Sequence, residues 1–191
     1  MKSGLSFILF VLLGGATAVL SASPLSPCDS GAFPNLVANC GFETGSFTDW
    51  TESGSFTFVF GAGANSGTYM VLMGTPTADG TLSQVVSTTP GRPYIFSFYF
   101  AADGDNSSDF SALWDGVPLV SLTDPNTLSG YEQLAYPVVG TGSDTIQFKF
   151  RDDAWYMSLD DVVVTPGPVP EPGTMEMLFA ALGTLALIRR R

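Results

Sequence analysis

Two segments in the middle of the chain alternate apolar and polar residues with a period of two, and this alternation constrains the fold most strongly. Residues 145–151, TIQFKFR, place three apolar side chains on one side and polar side chains on the other. Residues 94–100, YIFSFYF, send four aromatic side chains one way, while the other face is only partly polar. Successive side chains of a β-strand point to opposite faces, so we expect two strands, the second one in a sheet interior.

Further short segments with strand-like composition lie between glycine-rich turns such as Asp79-Gly80, Pro90-Gly91 and Asp115-Gly116. The predicted strands are Ser55–Phe60, Thr68–Met73, Thr81–Val86, Phe110–Trp114, Val117–Leu122, Tyr131–Val139 and Met157–Val164. Many short strands separated by such turns predict an all-β domain over residues 24–165, with a jelly-roll β-sandwich as its architecture.

The charge of the chain excludes one class of partner. The net charge is −11, and between residues 24 and 170 only three basic residues face sixteen acidic ones. A surface this acidic repels phosphate backbones, so we predict no nucleic-acid binding.

The chain contains no histidine, which limits the catalysis it can perform. Histidine is the usual base near neutral pH and the commonest zinc ligand, so Ser-His-Asp, Cys-His and histidine-zinc chemistry are excluded. Asp152 and Asp153 are adjacent, and adjacent residues of a strand point to opposite faces and cannot flank one glycosidic bond. We therefore predict that the protein is not an enzyme.

The N-terminus carries an export signal. Lys2 precedes an apolar stretch over Leu5–Leu13, and small residues including Ala16-Thr17-Ala18 follow. This order predicts a secretory signal peptide over residues 1–22. Export to an oxidising compartment would allow Cys28 and Cys40, the two cysteines of the chain, to form a disulfide; two unpaired thiols are the alternative.

The C-terminus combines a Pro-Glu-Pro triplet, a short apolar run and three arginines. The triplet lies in a Pro- and Gly-rich linker over residues 166–174, and the apolar run covers residues 175–188. As a helix this run reaches only about 21 Å, which is marginal for a bilayer core of about 30 Å. Because arginines stay on the cytoplasmic side, a membrane helix followed by residues 189–191 would hold the preceding domain outside the inner membrane.

This order of Val169, Pro170, Glu171 and Pro172, the apolar run and the arginines resembles the PEP-CTERM protein-sorting domain of exporting Gram-negative bacteria. The resemblance implies recognition by an exosortase after passage through the secretion machinery, with the tail removed or exchanged during surface sorting. It also implies a place in the periplasm, at the cell surface or in the biofilm exopolysaccharide matrix, with at least transient anchoring in the inner membrane. A simple C-terminal membrane anchor is the alternative.

Four segments of the domain together resemble a galactose-binding-like jelly roll, whose nearest relatives are non-catalytic carbohydrate-binding modules. They are NLVANCGFETGSFTDWT (35–51), LSQVVSTTPGRPYIFSFYFA (82–101), FSALWDGVPL (110–119) and MSLDDVVV (157–164). In the resembled modules the Gly-Phe-Glu and Asp-Asp-Val motifs often meet at a structural calcium ion. The resemblance thus implies Glu43 and Asp160 as calcium ligands; hydrogen bonding at the strand ends is the alternative reading.

The tryptophans raise the question of sugar binding, because flat aromatic rings stack on sugar rings. Trp50 and Trp114 lie in segments expected to pack into the core. Trp155 and Tyr156 follow Arg151-Asp152-Asp153 in a predicted loop and are the candidate ligand-binding residues, with packing in the core or at the rim as the alternative.

Together these features predict an exported, surface-sorted, non-catalytic protein of the cell envelope or exopolysaccharide matrix. Its expected partners are an exosortase, the membrane through the C-terminal helix, and extracellular polysaccharide bound at one edge of the sandwich. A purely structural or adhesive matrix protein without a sugar ligand is the alternative. A glycan-active hydrolase is a third class, and it would require two carboxylates on one side of a cleft.

Overall fold

A computed structural model describes residues 34–168, apart from residues 77, 105–106, 128–129 and 154, and these residues contain ten β-strands. In chain order the strands are β1 (Thr51–Ser53), β2 (Thr57–Phe60), β3 (Met70–Met73), β4 (Gly80–Ser87), β5 (Pro93–Ala101), β6 (Asp109–Trp114), β7 (Val117–Thr123), β8 (Glu132–Val139), β9 (Ser143–Arg151) and β10 (Met157–Pro166).

The strands form two five-stranded antiparallel sheets. Sheet A has the order β1-β4-β9-β6-β7, and sheet B has the order β2-β3-β10-β5-β8. The predicted all-β sandwich is therefore confirmed, and β5 is paired on both sides, as its sequence indicates. Strand β1 was not predicted, because its three residues, Thr-Glu-Ser, carry no apolar alternation.

The core lies between the sheets and is dominated by phenylalanine. The inward side chains of β9 and β5 meet at Phe148, whose ring centroid lies 5.0 Å from that of Phe98 and 5.8 Å from that of Phe96. Phe110 of β6 completes the cluster, with its centroid 4.2 Å from that of Phe100. All five rings are at most 1% exposed, so the period-two alternation directly produces the inter-sheet core.

The strand register brings five connections to one end of the sandwich. Met73 at the end of β3 pairs with Met157 at the start of β10, and Phe150 near the end of β9 pairs with Gly80 at the start of β4. The same end holds the connections over residues 54–56, 74–79, 102–108, 124–131 and 152–156. We call it the Trp155 end.

Several predictions fall on residues that the structure does not describe. The signal peptide over residues 1–22, Cys28, the sorting residues Val169–Pro172 and the apolar run over residues 175–188 lie outside the described range. Within residues 34–168, apart from the gaps given above, no helix is long and apolar enough to cross a membrane.

Candidate functional site

The predicted pair Trp155 and Tyr156 lies in the connection between β9 and β10, which crosses from sheet A to sheet B at the Trp155 end. The side chain of Trp155 is 63% exposed, and Tyr156 is half-buried. Both residues border a cavity of about 170 Å³. The cavity is lined by Phe56, Gly74, Pro76, Asp152, Asp153, Trp155 and Tyr156. Three separate connections therefore supply its walls.

An unusual backbone conformation places Phe56 at the cavity. Its φ is +62°, a region that bulky residues rarely adopt, and its side chain is 59% exposed. The amide of Gly74 donates a hydrogen bond to the carbonyl oxygen of Phe56 at 3.2 Å, which joins two of the connections. A backbone conformation of this kind costs free energy and persists only where the surrounding structure holds it in place. Such residues are found preferentially at binding sites.

Gly74 also permits the close approach of the third connection. A Cβ atom at this position would lie 2.6 Å from Cδ1 of Tyr156 and 2.7 Å from the carbonyl oxygen of Trp155. Only a residue without a side chain allows Tyr156 and Trp155 to sit where they do.

Asp152 and Asp153 both line the cavity, which corrects the argument made from the sequence. They lie in the connection after β9 and not in a strand, so the alternation of strand side chains does not separate them. Asp152 is 2% exposed and its Oδ1 accepts a hydrogen bond from the amide of Trp155 at 3.4 Å, whereas Asp153 is exposed. The lining thus carries two carboxylates and no basic side chain.

A second cavity at the Trp155 end also has Tyr156 in its lining. Its volume is about 220 Å³, and it is lined by Ala101, Ala102, Asp103, Thr127, Gly130, Tyr156 and Ser158. Tyr156 therefore lines both cavities. No sequence pattern indicates this second cavity, because its lining residues belong to three separate connections and two strands.

Glu43 and Asp160, the predicted calcium ligands, contact the same segment of chain. Oε1 of Glu43 accepts hydrogen bonds from the amides of Thr68 and Tyr69, each at 2.9 Å. Oδ2 of Asp160 accepts from the amide of Asn65 at 2.8 Å. The first segment of the domain and its last strand are thus both tied to the β2–β3 connection.

The neighbouring Asp161 strengthens this attachment. Its Oδ2 accepts hydrogen bonds from Nδ2 of Asn65 and from the hydroxyl of Ser66, each at 2.8 Å. Burial, with the charge of Asp161 as a second cause, raises the pKa of Asp160 to about 7, although hydrogen bonds from backbone amides oppose the rise.

Calcium needs six to eight oxygen ligands. Among the described residues no three or more acidic or cysteine side chains are grouped to hold a metal ion. The arrangement fits hydrogen-bonding carboxylates, and calcium stays a prediction that only the resemblance supports.

The sequence analysis also made predictions for two further tryptophans and for the two cysteines. Trp50 and Trp114 are buried, at 8% and 7% exposure, as predicted for core residues. Cys40 is buried and is not a free thiol. Because Cys28 lies outside the described residues, the pairing of the two cysteines stays a prediction.

Three solved structures illustrate what the sandwich is similar to. The structure of TmCBM61 in complex with β-1,4-galactotriose matches with a TM-score of 0.59 and 23% identity, over 70% of this chain and 99% of that one. The CBM22-1 xylan-binding domain of Xyn10C from Paenibacillus barcinonensis matches with a TM-score of 0.51 and 15% identity, over 73% and 98%.

The third similar structure belongs to an enzyme. The enzymatically active domain of tailspike protein 4 from bacteriophage CBA120 matches with a TM-score of 0.55 and 14% identity. The match covers 70% of this chain and only 21% of the tailspike chain. At these identities the likeness concerns the fold alone, so the described residues form a two-sheet antiparallel sandwich like that of carbohydrate-binding modules.

The C-terminal residues match a known sorting motif. Residues 168–191 match the PEP-CTERM protein-sorting motif, so the chain carries this motif at its C-terminus, as predicted from residues 169–172 and the tail that follows. The motif implies export and sorting to the cell surface by an exosortase. No curated protein matches the chain.

Proposed function

We propose that the protein is a non-catalytic glycan-binding module that its sorting motif delivers to the cell envelope or the exopolysaccharide matrix. The ligand would bind at the Trp155 end, with a sugar ring stacked on Trp155. The observation that carries this proposal is the exposure of Trp155, at 63%, on the rim of a cavity that also holds two carboxylates. An aromatic ring offers a flat apolar surface to a sugar, and the exposed carboxylate of Asp153 can accept hydrogen bonds from its hydroxyl groups.

The charges of the cavity favour an uncharged ligand. Its lining carries Asp152 and Asp153 without a basic residue, so an anionic sugar would meet repulsion. The modules of similar fold are described with β-1,4-galactotriose and with xylan, which makes galacto- and xylo-oligosaccharides suitable first probes.

A glycan array with the purified domain tests the proposal, with Trp155→Ala as the site variant. Val117→Ala is a matched control, since Val117 is also 63% exposed but lies beside the β6–β7 turn, at the other end of the sandwich. Dose-dependent binding that Trp155→Ala abolishes and Val117→Ala preserves would support the site. Uniformly negative arrays would favour a structural or adhesive matrix protein, and turnover of any glycan would favour a hydrolase.

Delivery to the envelope is tested separately. Expression of the full chain in hosts with and without an exosortase should give products that differ in location and in C-terminal mass. An unchanged mass and a protein retained at the inner membrane in both hosts would indicate a simple C-terminal anchor.

A further inference from the structure

Exposed aromatic side chains continue beyond the cavity along β2. Phe58 is 37% exposed and Phe60 is 45% exposed, both on the outer face of sheet B. Strand β2 is the edge strand of this sheet, and its sequence, Thr-Phe-Val-Phe, carries no charge. Exposed apolar side chains on an edge strand promote aggregation, so natural proteins usually avoid them unless a partner covers them.

These rings are continuous with the cavity. The ring centroid of Phe58 lies 5.2 Å from that of Tyr156, which lines the cavity, and 6.4 Å from that of Phe60. We call Trp155, Phe56, Tyr156, Phe58 and Phe60 the aromatic strip. Of the seven large hydrophobic side chains exposed among the described residues, four belong to this strip.

The extent of the strip suits a chain of sugars better than a single sugar. Phe58 packs edge-to-face against Tyr156 and Phe60, at interplanar angles of 66° and 76°, so the three rings form one continuous apolar surface that neighbouring sugars of a chain could contact. The five residues of the strip are uncharged, and the charged side chains that line the adjoining cavity are both carboxylates. The strip therefore suits an uncharged chain and offers nothing to pair with an anionic one.

We propose that the aromatic strip is an extended binding site for an uncharged polysaccharide chain, which runs from the cavity at Trp155 across Tyr156 and along β2 to Phe60. This inference rests on the proposed function, and it adds that the domain binds the interior of a glycan chain, with affinity that rises with chain length.

The test is a calorimetric titration of the purified protein with β-1,4-linked galacto-oligosaccharides and xylo-oligosaccharides of two and six units. The variants are Trp155→Ala, Phe58→Ala and Phe60→Ala. Val85→Ala is the control, because Val85 is 65% exposed on β4 of the other sheet. For at least one of the two series we expect the hexasaccharide to bind more tightly than the disaccharide. Phe60→Ala should weaken hexasaccharide binding by about two- to tenfold and leave disaccharide binding unchanged.

The outcomes separate this inference from the proposed function. Equal affinities for two and six units, with binding still lost in Trp155→Ala, would overturn the extended site and leave the cavity site intact. Binding that persists in Trp155→Ala would overturn the proposed function. Sedimentation velocity tests whether a second copy of the chain binds at β2 instead of a glycan. A dimer that dissociates in Phe58→Ala and in Phe60→Ala would show that a second copy covers β2, and this would also overturn the inference.

Discussion

Gly74→Ala tests whether the Trp155 end is built as the structure describes. The new Cβ would lie 2.6 Å from the ring of Tyr156 and 2.7 Å from the carbonyl oxygen of Trp155, distances at which the neighbouring atoms must move. Overpacking of this kind costs about 1–3 kcal/mol. Alanine also lowers the conformational entropy of the unfolded chain, which stabilises the fold by about 0.4–1 kcal/mol. We therefore expect the free energy of unfolding to fall by about 0.5–2 kcal/mol in total.

Thermal unfolding followed by circular dichroism measures this loss. For a domain of this size each kcal/mol corresponds to roughly 3–5 °C, so the midpoint should fall by about 2–10 °C. The matched control is Gly61→Ala, whose Cβ would meet nothing closer than 3.3 Å, at the side chain of Tyr69. Because the clash displaces Trp155 and Tyr156, glycan affinity should also fall in Gly74→Ala. A Gly74→Ala protein that melts with the wild type would refute the close packing of the three connections.

Three further predictions concern other parts of the domain. Burial alone would raise the pKa of Asp144, but hydrogen bonds from Thr88 and Thr141 outweigh it and lower the pKa, so the stabilisation by ionised Asp144 is present at neutral pH and is lost in acid. Thr88→Val should therefore lower the free energy of unfolding in urea by about 1–3 kcal/mol at neutral pH and by less in acid. An equal decrease at both pH values would contradict the role of ionised Asp144. If Glu43 and Asp160 bind calcium, as the resemblance implies, the melting midpoint should be higher in calcium than in chelator; an unchanged midpoint would favour carboxylates that accept only the amide hydrogen bonds. Thiol labelling of the unreduced mature protein should find no reactive cysteine, and two labelled thiols would exclude a disulfide between Cys28 and Cys40.

The parts of the fold that follow a local pattern could be predicted from the sequence. The alternation in residues 94–100 and 145–151 indicated β5 and β9 and the inward direction of their phenylalanines. The charged and aromatic residues around Arg151 indicated a loop, which made Trp155 a candidate for an exposed ring, and the structure shows it 63% exposed.

The parts that depend on contacts between distant residues could not be predicted. The carboxylate of Asp160 binds the amide of Asn65, 95 positions away, and no local pattern indicates that an amide would be its partner. The cavity depends on the positive φ of Phe56 and on the close approach at Gly74, and both are set by neighbouring connections. For the same reason Asp152 and Asp153 were assigned to opposite faces although they line one cavity.

Tryptophan fluorescence during a glycan titration tests the proposed site most directly. Of the three tryptophans, Trp50 and Trp114 are buried and only Trp155 is exposed, so a change in emission on binding reports on the Trp155 end. We predict that a β-1,4-linked galacto- or xylo-hexasaccharide shifts the emission to shorter wavelength, and that Trp155→Phe removes the shift. Glycan binding without any change in the emission, or a shift that persists in Trp155→Phe, would place the ligand elsewhere on the sandwich and contradict the account.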